Sequence, residues 1–160
     1  MNIAPEDNFG SLYDKLKVAG AALAGRTVAA IAAGTAPNLP QQASTGLRAA
    51  PKLNRETGRL DLTRPARELV NVIRGLSPAP AAFLPLPDGR ILKVFRARAA
   101  DFEATEPATA AALAPGTWLS DGRDSLRVAT AAGWLYLLDV QLEGKKRLSI
   151  PEFLRGFKLV

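Results

Sequence analysis

The constraint that most limits what this chain can fold into is the run Gly34–Arg48, GTAPNLPQQASTGLR, in which Leu39 and Leu47 are the only large apolar side chains. A stretch of that composition cannot pack into a core, so it reads as a linker. It divides the chain into a helical piece at residues 1–34, the linker at 35–47 and a second module at 48–160.

The first piece is one expected helix. Ser11 is placed to cap it with Asp14 three residues on, and Leu12, Leu16, Ala19, Leu23, Ala24, Val28 and Ile31 recur at helical spacing on one face. Gly34 stops it, followed by Pro37 and Pro40. A single amphipathic helix cannot bury its own stripe, and little in the linker is suited to cover it.

The second module reads as many short strands punctuated by turns. A strand is expected at Leu60 to Leu62, then a helix capped by Thr63 and ended by Gly75, with Ala66, Leu69, Val70 and Ile73 on its buried face. Strands follow at Ala82 to Leu86 and Arg90 to Arg98, joined through Asp88-Gly89. Strict alternation along the second of these puts Ile91, Lys93, Phe95 and Ala97 on one side and Leu92, Val94, Arg96 and Arg98 on the other, so basic residues are expected on both faces. Ala99 to Ala114 reads as a surface loop. Three more strands are expected at Thr117 to Ser120, Ser125 to Thr130 and Trp134 to Val140, with turns at Asp121-Gly122 and Ala132-Gly133. Trp118 and Trp134 sit in these strands as core or barrel-mouth residues rather than base-stacking platforms. A basic loop, Gly144 to Arg147, leads to a capping box of Ser149 and Glu152 around Phe153 and Leu154, closed by Gly156. This is an α+β, mainly β pattern, and it predicts a small β-barrel rather than a layered parallel sheet, preceded by a helix and a linker.

Composition then narrows the chemistry. The chain has no Cys and no His, which removes thiolate nucleophiles, disulfides, imidazole bases and nearly all zinc sites. Asp61, Asp121, Asp124 and Asp139 show no spacing that pairs an acid with a base, so no catalytic residue and no metal site is expected. Of 21 basic and 15 acidic residues, three of each precede residue 48, so the whole excess of +6 falls in the second module. That asymmetry points to a polyanionic partner such as nucleic acid. Glu6 and Asp7 stand where a secretory signal would be basic, and Gly20, Gly25, Arg26 and Thr27 interrupt the Ala-rich run. No membrane span is expected, and a cytoplasmic location follows.

Seven stretches stand in one family's order: APEDNFGSLYDKL from Ala4, APKLNRETGRLDL from Ala50, IRGLSPAP from Ile73, LKVFRA from Leu92, PGT from Pro115, LRVATAAGWLYLLDVQLEGKKRLS from Leu126 and FLRG from Phe153. Together they resemble methionyl-tRNA formyltransferase from its middle to its C-terminus. The resemblance implies that residues 1–34 are the last helical part of a Rossmann-like formyltransferase domain and that 48–160 are an OB-like domain holding initiator tRNA. It also implies 10-formyltetrahydrofolate as co-substrate of the full-length enzyme, with no cofactor held by this chain. The family's Asn, His and Asp catalytic motif would lie upstream of every matching stretch, so the chain alone is expected to be inactive. Carried over residue by residue, the tRNA-binding candidates are Lys52 and Arg55, Arg74 in IRGLSP, and Lys145, Lys146 and Arg147 in GKKR, with Lys93 and Arg96 on the hairpin strand. Such contacts position an RNA by its phosphates and read little sequence. The sequence departs from the family pattern at Leu62 and Ala79, where aromatic residues are usual. Two other readings stay open: the C-terminal domain of a related enzyme such as a sugar N-formyltransferase, and a free-standing OB-like module binding nucleic acid or protein.

Overall fold

The computed structural model describes residues 1–40, 46–47, 49–101 and 113–158. The expected linker residues 41–45 and 48, and most of the expected Ala-rich loop at 102–112, lie outside the described residues. The chain divides into two compact units, Met1–Leu53 and Asn54–Val160.

The first unit is built on α1, Phe9–Ala32. It starts earlier than the sequence predicts, because Asn8 rather than Ser11 is the cap. The Asn8 side-chain oxygen accepts from the Ser11 backbone N–H at 3.0 Å, and the Ser11 hydroxyl accepts from the Asn8 N–H at 3.1 Å. Ser11 therefore occupies the third helical position of the capping box, and Asp14 pairs instead with Lys17. Asp7 fastens this end: hydrogen bonds from Lys15, from the Ala4 backbone N–H and from the Ser11 hydroxyl hold its carboxyl down at about 2. No residue of α1 is buried, and Leu16, Leu23, Val28 and Ile31 of its expected stripe are exposed. No helix among the described residues is long and apolar enough to cross a membrane.

The second unit is a six-stranded antiparallel sheet with two helices. Its strands are β1 Ala82–Pro85, β2 Ile91–Ala100, β3 Trp118–Ser120, β4 Leu126–Ala129, β5 Trp134–Leu142 and β6 Leu148–Ser149. They lie in the order β1-β2-β5-β4-β3, with β6 beside the end of β5. The sheet is mainly meandering and open: β1 and β3 are its two edges, and they are not paired to close a barrel. The expected strand at Leu60 to Leu62 is not one. It is an extended link making a single bridge between Arg59 and Phe83, a bond from the Leu60 N–H to the Phe83 carbonyl at 3.0 Å, and one from the Ala131 N–H to the Leu62 carbonyl at 2.9 Å. That link spans the gap between the β1 side and the β4–β5 turn.

Helix α2, Ala66–Leu76, covers one face of the sheet. Pro65, not Thr63, occupies its cap position without a side-chain bond, and the Ala66 N–H is taken by the Ala132 carbonyl at 3.1 Å. Thr63 instead bonds Asp61, whose carboxylate accepts both its N–H and its hydroxyl. The helix runs one residue past Gly75, and Pro78 ends it by forcing Ser77 into an extended conformation. Ala66, Leu69, Ile73 and Leu76 pack against Leu84, Leu92, Val94, Leu135, Leu137 and Val140. Helix α3, Ile150–Leu154, closes the core with Ile150, Phe153 and Leu154 behind the expected Ser149–Glu152 capping box. Burying each such side chain stabilises the fold by roughly 1.5–3 kcal/mol before the entropy of ordering is counted.

The pairing of β2 with β5 departs from simple alternation. Inward partners are Leu92 with Leu142, Val94 with Val140, Ala97 with Leu137 and Ala99 with Leu135. The inward positions thus switch from even to odd along β2, because the register shifts on both sides of Arg96. Phe95 and Arg96 on one strand, and Leu138 and Asp139 on the other, fall in succession outside the core. The expectation of basic residues on both faces is therefore corrected: past the irregularity Arg98 shares the outer side with Lys93. Strand β2 also continues through Ala99 and Ala100, which the sequence placed in a loop.

Gly133 lets β2 reach that far. Its φ is 86°, and a Cβ there would stand 2.5 Å from the Ala100 carbonyl oxygen at the end of β2. Gly133→Ala meets both a left-handed backbone and a clash with main chain, so it is expected to destabilise the second unit by about 1–3 kcal/mol or more in denaturant unfolding. An unchanged midpoint would show that this turn does not hold β2 and β5 in place.

Candidate functional site

The outer face of β2, β5 and β4 gathers cations through cross-strand pairing. Lys93 stands opposite Gln141, Arg96 opposite Asp139, and Arg98 opposite Tyr136, which on its other side faces Arg127. The opposite face is filled by α2 and the core, so these side chains share the outer face. Lys93, Arg96 and Arg98 are exposed and Arg127 is half-buried.

The cations are held by two devices. Asp139, with its side chain only 18% exposed, takes Arg96 Nε at 3.3 Å and Arg147 Nη2 at 2.9 Å on the same oxygen. The Arg147 guanidinium also lies over the Phe95 ring, 4.6 Å from its centroid. The bulged residue Phe95 thus becomes a platform. The second device is centred on Tyr136: the Arg98 guanidinium sits 3.8 Å from its ring centroid, and Arg127 donates to its hydroxyl at 2.6 Å while lying over the buried ring of Trp134 at 4.4 Å. Each guanidinium–ring contact contributes about 0.5–2 kcal/mol depending on its exposure, and it fixes a long side chain that would otherwise sample many rotamers. One carboxylate shared by two guanidinium groups leaves a net positive charge with spare donors facing outward. Fixed guanidinium forks suit the bidentate recognition of phosphate oxygens.

The basic loop adjoins this face. Gly144, at a φ of 74°, turns the chain back after β5, the Lys145 N–H bonds the Leu142 carbonyl at 2.9 Å, and the Gln141 side-chain amide donates to the Lys145 carbonyl at 2.7 Å. Arg147 returns from this loop onto the sheet face, whereas Lys146 stands near enough to Glu152 to help keep that carboxyl below its usual range, behind the hydrogen bonds from Ser149.

The eight residues singled out from the sequence do not form one cluster. Lys93, Arg96 and Arg147 come together, and Lys145 and Lys146 flank them on the loop. Arg74 is on α2, which covers the opposite face of the sheet, and it bonds Asn71 at 3.4 Å. Arg55 lines a separate cleft with Phe83 and Ile91. Lys52 belongs to the first unit. Sequence reasoning missed Arg127 as a site residue and named Arg98 only as part of a strand, because the signal that unites them with Arg96 is the register around Tyr136. Trp118 packs against the core and Trp134 is buried under Arg127.

The chain has no His, no group of three or more metal-binding side chains is found among the described residues, and none of their buried side-chain nitrogen or oxygen atoms lacks a hydrogen-bond partner.

If Asp139 is an organiser rather than a folding element, Asp139→Asn should lower stability by no more than about 1.5–3 kcal/mol, the weight of a hydrogen bond to a charged group at a largely buried carboxylate. In the same variant the Arg96 Nε–H and Arg147 Nη2–H resonances should lose their protection from solvent exchange. Protection equal to that of the parent chain would mean that the ring contacts alone hold these side chains.

The model of the formyl transferase C-terminal domain matches residues 52–158. A methionyl-tRNA formyltransferase of Bacteroides fragilis is 42% identical over 98% of this chain and 48% of its own length, and one of Myxococcus xanthus is 40% identical over 99% and 47%. The chain spans about half the length of these curated relatives. Among solved structures, a variant of HypX from Aquifex aeolicus matches with a TM-score of 0.49 at 18% identity, over 83% of this chain and 23% of that one. The chain belongs to the formyl transferase family and carries that family's C-terminal domain.

Proposed function

We propose that the second unit holds initiator methionyl-tRNA by its phosphates, serving a methionyl-tRNA formyltransferase whose formyl donor is 10-formyltetrahydrofolate. The observation that carries the reading is the assembly of Lys93, Arg96, Arg98, Arg127 and Arg147 on one outer sheet face, with the four arginines fixed by Asp139, Tyr136 and Phe95. The family relatives named for methionyl-tRNA support the choice of RNA. The rings on this face are covered by guanidinium groups, so they are not offered to bases; the face suits backbone contacts, which position an RNA without reading it. Lys145 and Lys146 extend the same field, while Arg55 and Arg74 stand away from this face. The chemistry of transfer belongs to residues outside this chain, and the working place of the enzyme is the cytoplasm.

The test is tRNA binding as a function of salt. The logarithm of affinity should fall linearly with the logarithm of salt, by about 0.7–0.9 per phosphate neutralised. Arg96→Ala with Arg98→Ala should weaken binding and reduce that slope by roughly 1–2, whereas Arg74→Ala should leave the slope unchanged. The reading fails if the double variant keeps the parent slope. Supplied with formyl donor and charged initiator tRNA, the chain alone should make no formylmethionyl product, and turnover would overturn the assignment of chemistry to residues outside it.

A further inference from the structure

A second concave region lies away from the cationic face, where the sheet fails to close. It is a cleft of about 800 Å³ between the β1 edge and the start of β3, with Leu60, Leu62, Leu84 and Leu86 as its floor and the half-buried Trp118 as one wall. It is open because the link Arg59–Leu62, and not a strand, bridges the two edges. Gly58 brings that link against β1: a Cβ there would stand 2.7 Å from the Ala81 carbonyl oxygen. The size and the apolar floor with a few polar groups are those of a small-ligand site.

The polar groups are of complementary kinds. Arg59 reaches the rim, and among the described residues no hydrogen bond or ion pair engages its guanidinium. Glu56 and Asp61 also line this cleft. The Asp61 carboxyl is held below the usual carboxylate range by the Thr63 hydroxyl and N–H, and those bonds use one oxygen and leave the other available. A second cleft of about 440 Å³ adjoins the first across Glu56, Arg59 and Pro85, and adds Arg55.

We infer that this pair of clefts binds one unpaired guanine nucleotide. Guanine presents acceptors at O6 and N7 to a guanidinium and donors at N1 and N2 to a carboxylate, and its flat face suits stacking beside Trp118. Arg59 takes the acceptor edge and Asp61 or Glu56 the donor edge, with the base against the apolar floor. Arg55, one cleft away, meets the 5′ phosphate. An adenine or a pyrimidine cannot satisfy both the guanidinium and the carboxylates in this way. The ligand is either a free mononucleotide or an unpaired guanosine of an RNA, and both carry the same recognition chemistry. The site shares no residue with the cationic sheet face, so it stands or falls independently of the tRNA reading.

The test follows the Trp118 indole N–H resonance of the full chain, identified by its loss in Trp118→Phe. GMP should shift it saturably at about millimolar concentration, the range expected for so small a ligand. CMP and inorganic phosphate should each bind roughly ten-fold more weakly or worse, the weight of one bidentate base contact, and guanosine should bind more weakly because it lacks the phosphate that Arg55 meets. Arg59→Ala should weaken GMP by a similar factor with the fold intact by its amide spectrum, and Arg96→Ala on the sheet face should leave GMP binding unchanged. A guanine-containing single strand that displaces GMP assigns the site to RNA, and failure to displace it assigns the site to the free nucleotide. No shift with GMP, or equal shifts with CMP or phosphate, would overturn the proposal.

Discussion

The shared slip in register between β2 and β5 is the feature on which the rest depends. An ordinary ladder alternates strictly, and the inward set Leu92 and Val94 would then be continued by Arg96 and Arg98, driving two guanidinium groups into the face that α2 covers. Burying an unpaired charge costs several kcal/mol, far more than the ladder bonds lost at one irregularity. By placing Phe95 with Arg96, and Leu138 with Asp139, in succession on the outside, the slip lets Ala97 and Ala99 take over the core positions and sends Arg98 outward. Core packing and the cationic face are therefore two results of one backbone event.

Much of the fold was legible in the sequence because its signals are local. Turns at Asp88-Gly89, Asp121-Gly122 and Ala132-Gly133, the helix stripe Leu69 to Ile73 and the capping box at Ser149 and Glu152 all depend on neighbours within a few residues, and the structure has them where those signals lie. Helix ends were less legible. Asn8 and Ser11 are both good caps, and only the geometry shows that Ser11 is the partner inside the helix. Gly75 looks like a stop, yet glycine is tolerated in a last turn when a proline soon follows.

The candidate site was less legible for a different reason. A bulge is not marked by any residue type in ILKVFRARAA, so period-two reading assigned Arg96 and Arg98 to the same face as Val94, and that error hid the partnership of Arg98, Tyr136 and Arg127. Asp139 gave no sign of its role either, since Arg96 is far from it in sequence and Arg147 reaches it only across the turn between β5 and β6. Of the residues nominated by family resemblance, those on β2 and beside it converge, while Arg74 and Arg55 are carried elsewhere by α2 and by the link before it. Positive charge in a sequence identifies a kind of partner, and only strand register decides which charges can meet it together.

The most direct measurement of the central claim is a resonance-by-resonance map of the labelled chain as tRNA is added at low salt. The account predicts that broadening concentrates on Lys93 to Arg98, Arg127, Tyr136 to Gln141 and the loop through Arg147, and that the exposed side of α2 is spared. Broadening centred on α2 and Arg74, with the β2–β5 face unaffected, would contradict it.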